Sequence, residues 1–144
     1  MRRQPVVNPS PMRFTGLMRT FARWLLATGM VFAGISHLTW SRTEFRAQVP
    51  DWTTELVPAV DTDTVVLASG VAEIALGVSL VALPAQRRRA GTVLALFFAA
   101  VFPGNWSQFT HHRDGFGLDT DTKRLVRLFF QPVLIAWALW STRR

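Results

Sequence analysis

Glu73 is the residue whose chemistry is hardest to reconcile with its surroundings. It lies inside TVVLASGVAEIALGVSLVALP, Thr64 to Pro84, a run apolar and long enough to cross a bilayer. A helix entered at Thr64 carries it about 14 Å deep at ~1.5 Å per residue, near the midplane of a ~30 Å hydrocarbon core. An ionised carboxylate there costs about 2.5–3.5 kcal/mol even on the lenient insertion scale. The group must therefore be protonated, paired or turned toward water. Ser69, Gly70 and Gly77 share its helical face, and small residues let a second helix come close. Glu73 is expected to point at a neighbouring helix rather than at lipid.

Four more polar residues fall between midplane and outer surface in other apolar runs. His37 lies near the end of the first run on a face with Gly29, Ala33 and Gly34. Asn105 is expected to close the third run beside Pro103, and Arg127 and Gln131 stand one turn apart in the last. Turned inward, His37, Glu73, Asn105, Arg127 and Gln131 would satisfy one another and could cradle a polar ligand head. Arg127 could neutralise Glu73 directly or through Gln131. The plainer reading is that such residues only link helices, each contact being worth roughly 0.6–2 kcal/mol. A metal on His37 and Glu73 lacks a third ligand, so no metal site is assigned. His111, His112 and Asp114 in HHRD are neighbours on a polar loop, where adjacent side chains rarely converge on one ion. No nucleophile–base pair is recognisable by spacing, so no catalytic residue is assigned, and a stand-alone enzyme is the least supported class.

Positioning such a cluster needs long helices. The 144 residues suit one domain, read as all-α, with membrane spans at about 20–40, 64–84, 90–106 and 125–140. The last two are short or interrupted by proline. The charge of +7, from 16 Lys and Arg against 9 Asp and Glu, suggests nucleic acid or an anionic membrane, and its distribution decides. With the first terminus inside, Arg2, Arg3, Arg13, Arg19, Arg23, Arg87, Arg88, Arg89, Arg143 and Arg144 all face the cytoplasm, without an acidic residue among them. Every acidic residue except Glu73 falls in Ser41–Asp63 or Ser107–Arg124. This positive-inside asymmetry places both termini in the cytoplasm and two loops outside. It accounts for the charge without nucleic acid. Trp24 and Trp140 fall near the inner boundary, with Trp137 one turn deeper, and Trp40, Trp52 and Trp106 near the outer, the depth that suits an indole.

The first helix lacks a small-x-small cleavage pattern, so it reads as an uncleaved anchor. Ser41 and Glu44 have capping-box spacing, and Pro50 and Pro58 bracket apolar residues beside Trp52. Together they predict a short helix lying on the outer membrane face. HHRDGFGLDTDTK predicts a flexible turn. The absence of cysteine removes disulfides, thiolate nucleophiles and thiolate metal ligands.

Five pieces resemble, in order, the DoxX-like family of small four-helix membrane proteins: FAGISHL, VPDW, SGVAEIALGVSL, AVFPGNW and RLFFQPVLIAWALW. The resemblance covers about Trp24 to Trp140, and the five polar residues occupy its motifs. It implies a bacterial inner-membrane protein. Family members include a subunit associated with a thiosulfate:quinone oxidoreductase, and others are linked to membrane redox or oxidative-stress complexes. The leading expectation is a subunit or anchor of a membrane redox assembly with a partner subunit, surrounding lipid and a quinone as candidate cofactor. His37, Asn105 and Gln131 would serve the quinone carbonyls. The alternatives are a small proton-linked carrier or a lipid- or small-molecule-binding membrane protein using Glu73, and a purely structural bundle. A homo-oligomer is compatible with each.

Overall fold

The computed structural model describes residues 11–56 and 59–143, with the side chains described from Phe14 onward. Arg2, Arg3, Pro58, Arg144 and the side chain of Arg13, which the charge and loop arguments used, lie outside the described residues. Those described are helical, without a strand among them.

Four long helices carry the structure: α1 (Pro11–Leu38), α4 (Thr62–Ala82), α5 (Arg87–Thr110) and α6 (Asp121–Ser141). Between α1 and α4 come two short ones, α2 (Arg42–Phe45) and α3 (Asp51–Leu56), with a 3₁₀ turn at Arg46–Gln48 between them. Helix α1 extends well before the apolar run, back to Pro11 where the described residues start. Asp61 caps α4, accepting from the backbone N of Thr64 at 2.7 Å. Pro84 ends it by pushing Leu83 out of the helical region.

Helix α5 corrects one expectation. It runs through Pro103 to Thr110, so Asn105 sits within the helix and not at its end. Pro103 lacks the N–H that the Ala99 carbonyl would receive, and surrounding packing sustains the helix across the gap. Three helices are long and apolar enough to cross a membrane: Phe14–Leu38, Thr62–Ala82 and Pro84–Thr110. Helix α6 is as long as α4, 21 residues, but Lys123, Arg124, Arg127 and Gln131 make its first half more polar.

Helices α1 and α4 run antiparallel in close contact. A Cβ on Gly70 would stand 2.7 Å from the Cβ of His37 and 2.9 Å from the backbone oxygen of Gly34, and one on Gly77 would stand 2.9 Å from the oxygen of Ala27. The small residues beside Glu73 thus receive a neighbouring helix, as the sequence predicts. Helix α5 pairs chiefly with α6, and Leu26, Met30, Leu80, Leu94, Phe98 and Ala138 join the two pairs in one core. Large apolar side chains also cover the outside. Phe14, Leu17, Phe21, Phe32, Leu96 and Phe129 are 63% to 70% exposed, an apolar shell that water would penalise and lipid would not.

At one end the two loops lock together. Arg42 and Arg46 both bind Asp63 at the start of α4. Arg113 reaches the Val49 carbonyl at 3.0 Å and Asp51 at 2.6 Å. Ser41 makes no side-chain cap; Glu44 instead accepts from the backbone N of Phe116, so the capping-box expectation fails because the carboxylate is drawn across to the second loop. Arg124, 5% exposed, bonds Asp114, Asp121 and the carbonyls of His112 and Arg113. The stretch expected as a flexible turn is therefore clamped. The His112 backbone terminates α5. It takes φ 50° where α5 stops, with the N of His112 bonded to Phe109 and the N of Arg113 to Gln108, an arrangement glycine usually serves.

Candidate functional site

A cavity of about 190 Å³ opens at this loop end, between α1, α4, α5 and α6 and beneath the short helices. One wall is polar: His37, Ser69, Glu73, Asn105 and Arg127. The other is formed by Val49, Pro50, Val65, Val66, Ala100 and Val101, with Trp52 at the side of the short helices. The 3₁₀ turn seats closely because Gly104 leaves room for the Gln48 backbone oxygen.

Four of the five predicted residues thus line one space. Gln131 does not; it stands behind the wall, 1% exposed. Its Nε2 donates to the Phe98 carbonyl at 2.7 Å, in the segment Pro103 loosens. Its Oε1 is then the acceptor, receiving Asn105 Nδ2 at 3.2 Å and Arg127 at 3.4 Å. This chain of bonds settles the orientation of both amides. Asn105 spends its donor on Gln131, and its Oδ1 is buried without a hydrogen-bond partner among the described residues.

His37 is oriented by the same logic. Its Nδ1 lies 3.2 Å from Ser69 Oγ and 3.3 Å from Glu73 Oε2. The Ser69 hydroxyl donates its single proton to the Val66 carbonyl at 2.9 Å. The His37 proton therefore sits on Nδ1, and Nε2 carries the free lone pair. That Nε2, like Glu73 Oε2, is buried and has no hydrogen-bond partner among the described residues. Phe45 packs edge-on to the imidazole and holds the ring. Arg127 faces the same cavity but bonds Gln131, so the direct pairing with Glu73 that the sequence allowed is not the contact made.

Ser69 was legible only as a small residue; its role as acceptor for His37 depends on the α1–α4 approach. Gln48, Trp52 and Phe45 reach the cavity from the short helices, which no local pattern linked to Glu73. Among the described residues no three His, Asp or Glu side chains converge as metal ligands, and His112 pairs instead with Asp121 at 2.7 Å.

Residues 26–142 match the family described as a domain of unknown function, DUF8561. No curated protein and no solved structure matches the chain.

Proposed function

Because the chain belongs to the DUF8561 family, whose description names no activity, we propose its function from its own site: it binds the polar head of an apolar molecule in the cavity beside Glu73, as a membrane subunit or anchor of a redox assembly. In this reading the protein is a four-helix integral membrane protein of the DoxX-like type in a bacterial inner membrane. Both termini are cytoplasmic, and α2 and α3 rest on the outer face. The arginine asymmetry, the tryptophan positions and the apolar shell support the placement.

One observation carries the ligand. Three buried polar atoms on one cavity, His37 Nε2, Glu73 Oε2 and Asn105 Oδ1, have no hydrogen-bond partner among the described residues, Glu73 Oε2 keeping only its ion-pair contact with His37 Nδ1, and a buried unsatisfied group costs about 1–3 kcal/mol. Two of the three are acceptors. A quinone carbonyl, also an acceptor, meets neither; the hydroxyls of a quinol meet both, and Arg127 remains as a donor. The sequence expectation is revised accordingly, from a quinone held by donors to a hydroxyl-bearing head such as a quinol. The volume, below the ~300–1,000 Å³ of drug-sized pockets, suits one ring with its tail left in lipid.

Purified protein in mild detergent, titrated with a short-tailed quinol and with its quinone, tests this through quenching of Trp52 against a Trp52→Phe reference. The quinol should bind more tightly, and Asn105→Leu should weaken it about tenfold, the worth of one hydrogen bond. Absence of quinol binding, or binding unchanged in Asn105→Leu, rejects the reading.

The contact between His37 and Glu73, an acid and a base 3.3 Å apart on a cavity, favours a second reading, a proton-linked carrier. Glu73→Gln should then abolish pH-dependent flux in proteoliposomes; undiminished flux removes that reading. If both variants alter only thermal stability, a purely structural bundle remains.

A further inference from the structure

The opposite end of the molecule carries a second cavity of about 420 Å³, lined by Arg19, Arg23, Arg87 and Arg143 together with Ser141 and Thr20. We infer that this cavity is a binding site for a phosphate group, supplied by an anionic lipid of the adjoining leaflet. The lipid source rests on the membrane reading above; the phosphate chemistry does not.

Helix geometry assembles the arginines. Arg19 and Arg23 are one turn apart on α1, Arg87 is the first residue of α5, and Arg143 follows the end of α6. Two contacts hold these elements together. Trp137 Nε1 donates to the Ala22 carbonyl at 3.0 Å, joining α6 to α1. Thr142 packs where a Cβ on Gly91 would stand, joining α6 to α5.

Like charges so gathered repel one another, and no acidic residue lines the cavity among the described residues. Arg23 and Arg87 each keep a buried Nε without a hydrogen-bond partner among the described residues. The site thus has positive charge and unused planar donors, and it wants an anion with several acceptor oxygens. Guanidinium forks match phosphate. Basic pockets between membrane helices at the headgroup level are where lipid phosphates are found, and Trp24, half exposed beside Arg23, sits at the depth indoles prefer.

The full chain in mild detergent is titrated with phosphatidylglycerol, phosphatidylcholine and inorganic phosphate, bound lipid being read by native mass spectrometry and bound phosphate by calorimetry. Phosphatidylglycerol should be retained preferentially over phosphatidylcholine. Arg23→Gln with Arg87→Gln should weaken it roughly 25-fold, at about fivefold per arginine. Arg143→Gln, an exposed position that leaves the helices intact, should weaken it about fivefold. Arg88→Gln with Arg89→Gln removes the same charge from outside the cavity and should leave binding unchanged. Inorganic phosphate bound with the same arginine dependence, without lipid preference, supports the site with a soluble source. Equal losses in the Arg88/Arg89 pair, or no loss in the other variants, overturns it by making the effect one of general charge. Quinol binding at the other end is unaffected in every arm, so the two proposals fail separately.

Discussion

His37 Nδ1 lies 3.3 Å from Glu73 Oε2, a distance set by the backbones behind the two side chains. The helices meet at Gly34 and Gly70, where a side chain on Gly70 would fall 2.7 Å from the His37 Cβ. Gly70→Leu should therefore push α1 from α4, costing about 1–3 kcal/mol by overpacking and separating His37 from Glu73. Gly29, with nothing within 4 Å of a built Cβ, supplies the control: Gly29→Ala should be neutral or stabilising by up to ~1 kcal/mol. Thermal unfolding in detergent reads both; equal effects of the two would contradict the close-contact account.

Gln131 touches no part of the cavity, yet it holds Asn105, Arg127 and the Phe98 carbonyl. Gln131→Leu removes the acceptor that Asn105 and Arg127 share in a buried setting, so it should destabilise by about 1–3 kcal/mol. It should also weaken quinol binding, because the Asn105 amide is then free to turn. A variant that loses stability but keeps the wild-type quinol affinity would show that Gln131 positions nothing.

Arg124 is buried, but its partners Asp114 and Asp121 are 75% and 58% exposed, so water screens the ion pairs and little stability comes from charge. The bonds to the His112 and Arg113 carbonyls carry more. Arg124→Met should lower stability by about 1–3 kcal/mol and release the 111–120 loop, read as loss of amide exchange protection there. Retained protection would assign the loop's order elsewhere.

The exposed loop carboxylates set an acid limit. Asp51 is held below its ordinary 3.8 by a hydrogen bond and charge from Arg113, Asp119 by Lys123, and Asp121 by hydrogen bonds from His112 and Arg124. Because the folded values are depressed, their contribution is complete above the unfolded value and disappears as pH falls through the folded ones. Loop protection should be level from pH 7 to about 5 and decline below about 4. A decline centred near pH 6 would take the acid limit away from these carboxylates.

Much of the site was legible because burying a polar group in an apolar helix is costly, and a costly residue stands out. Glu73, His37, Asn105 and Arg127 were all recognisable in this way, and they do line one cavity. Gln131 looked equivalent by the same criterion, yet it stands behind the wall, since depth along a helix does not say which side of a neighbour a residue faces. Asn105 was misplaced at a helix end because Pro103 usually breaks a helix, and only tertiary packing carries α5 past it. Ser41 and Glu44 had the spacing of a cap, but Glu44 found Phe116, far away in the chain.

From the chain alone, the helical class, the apolar lengths, the charge asymmetry and the set of polar residues at depth could be read, because each follows from composition and local periodicity. The hydrogen-bond directions could not. That Asn105 presents an oxygen and His37 a lone pair follows from Gln131 and Ser69, which reach them from other helices. Donor and acceptor roles belong to the network and not to the residue, so they were fixed only when the helices came together.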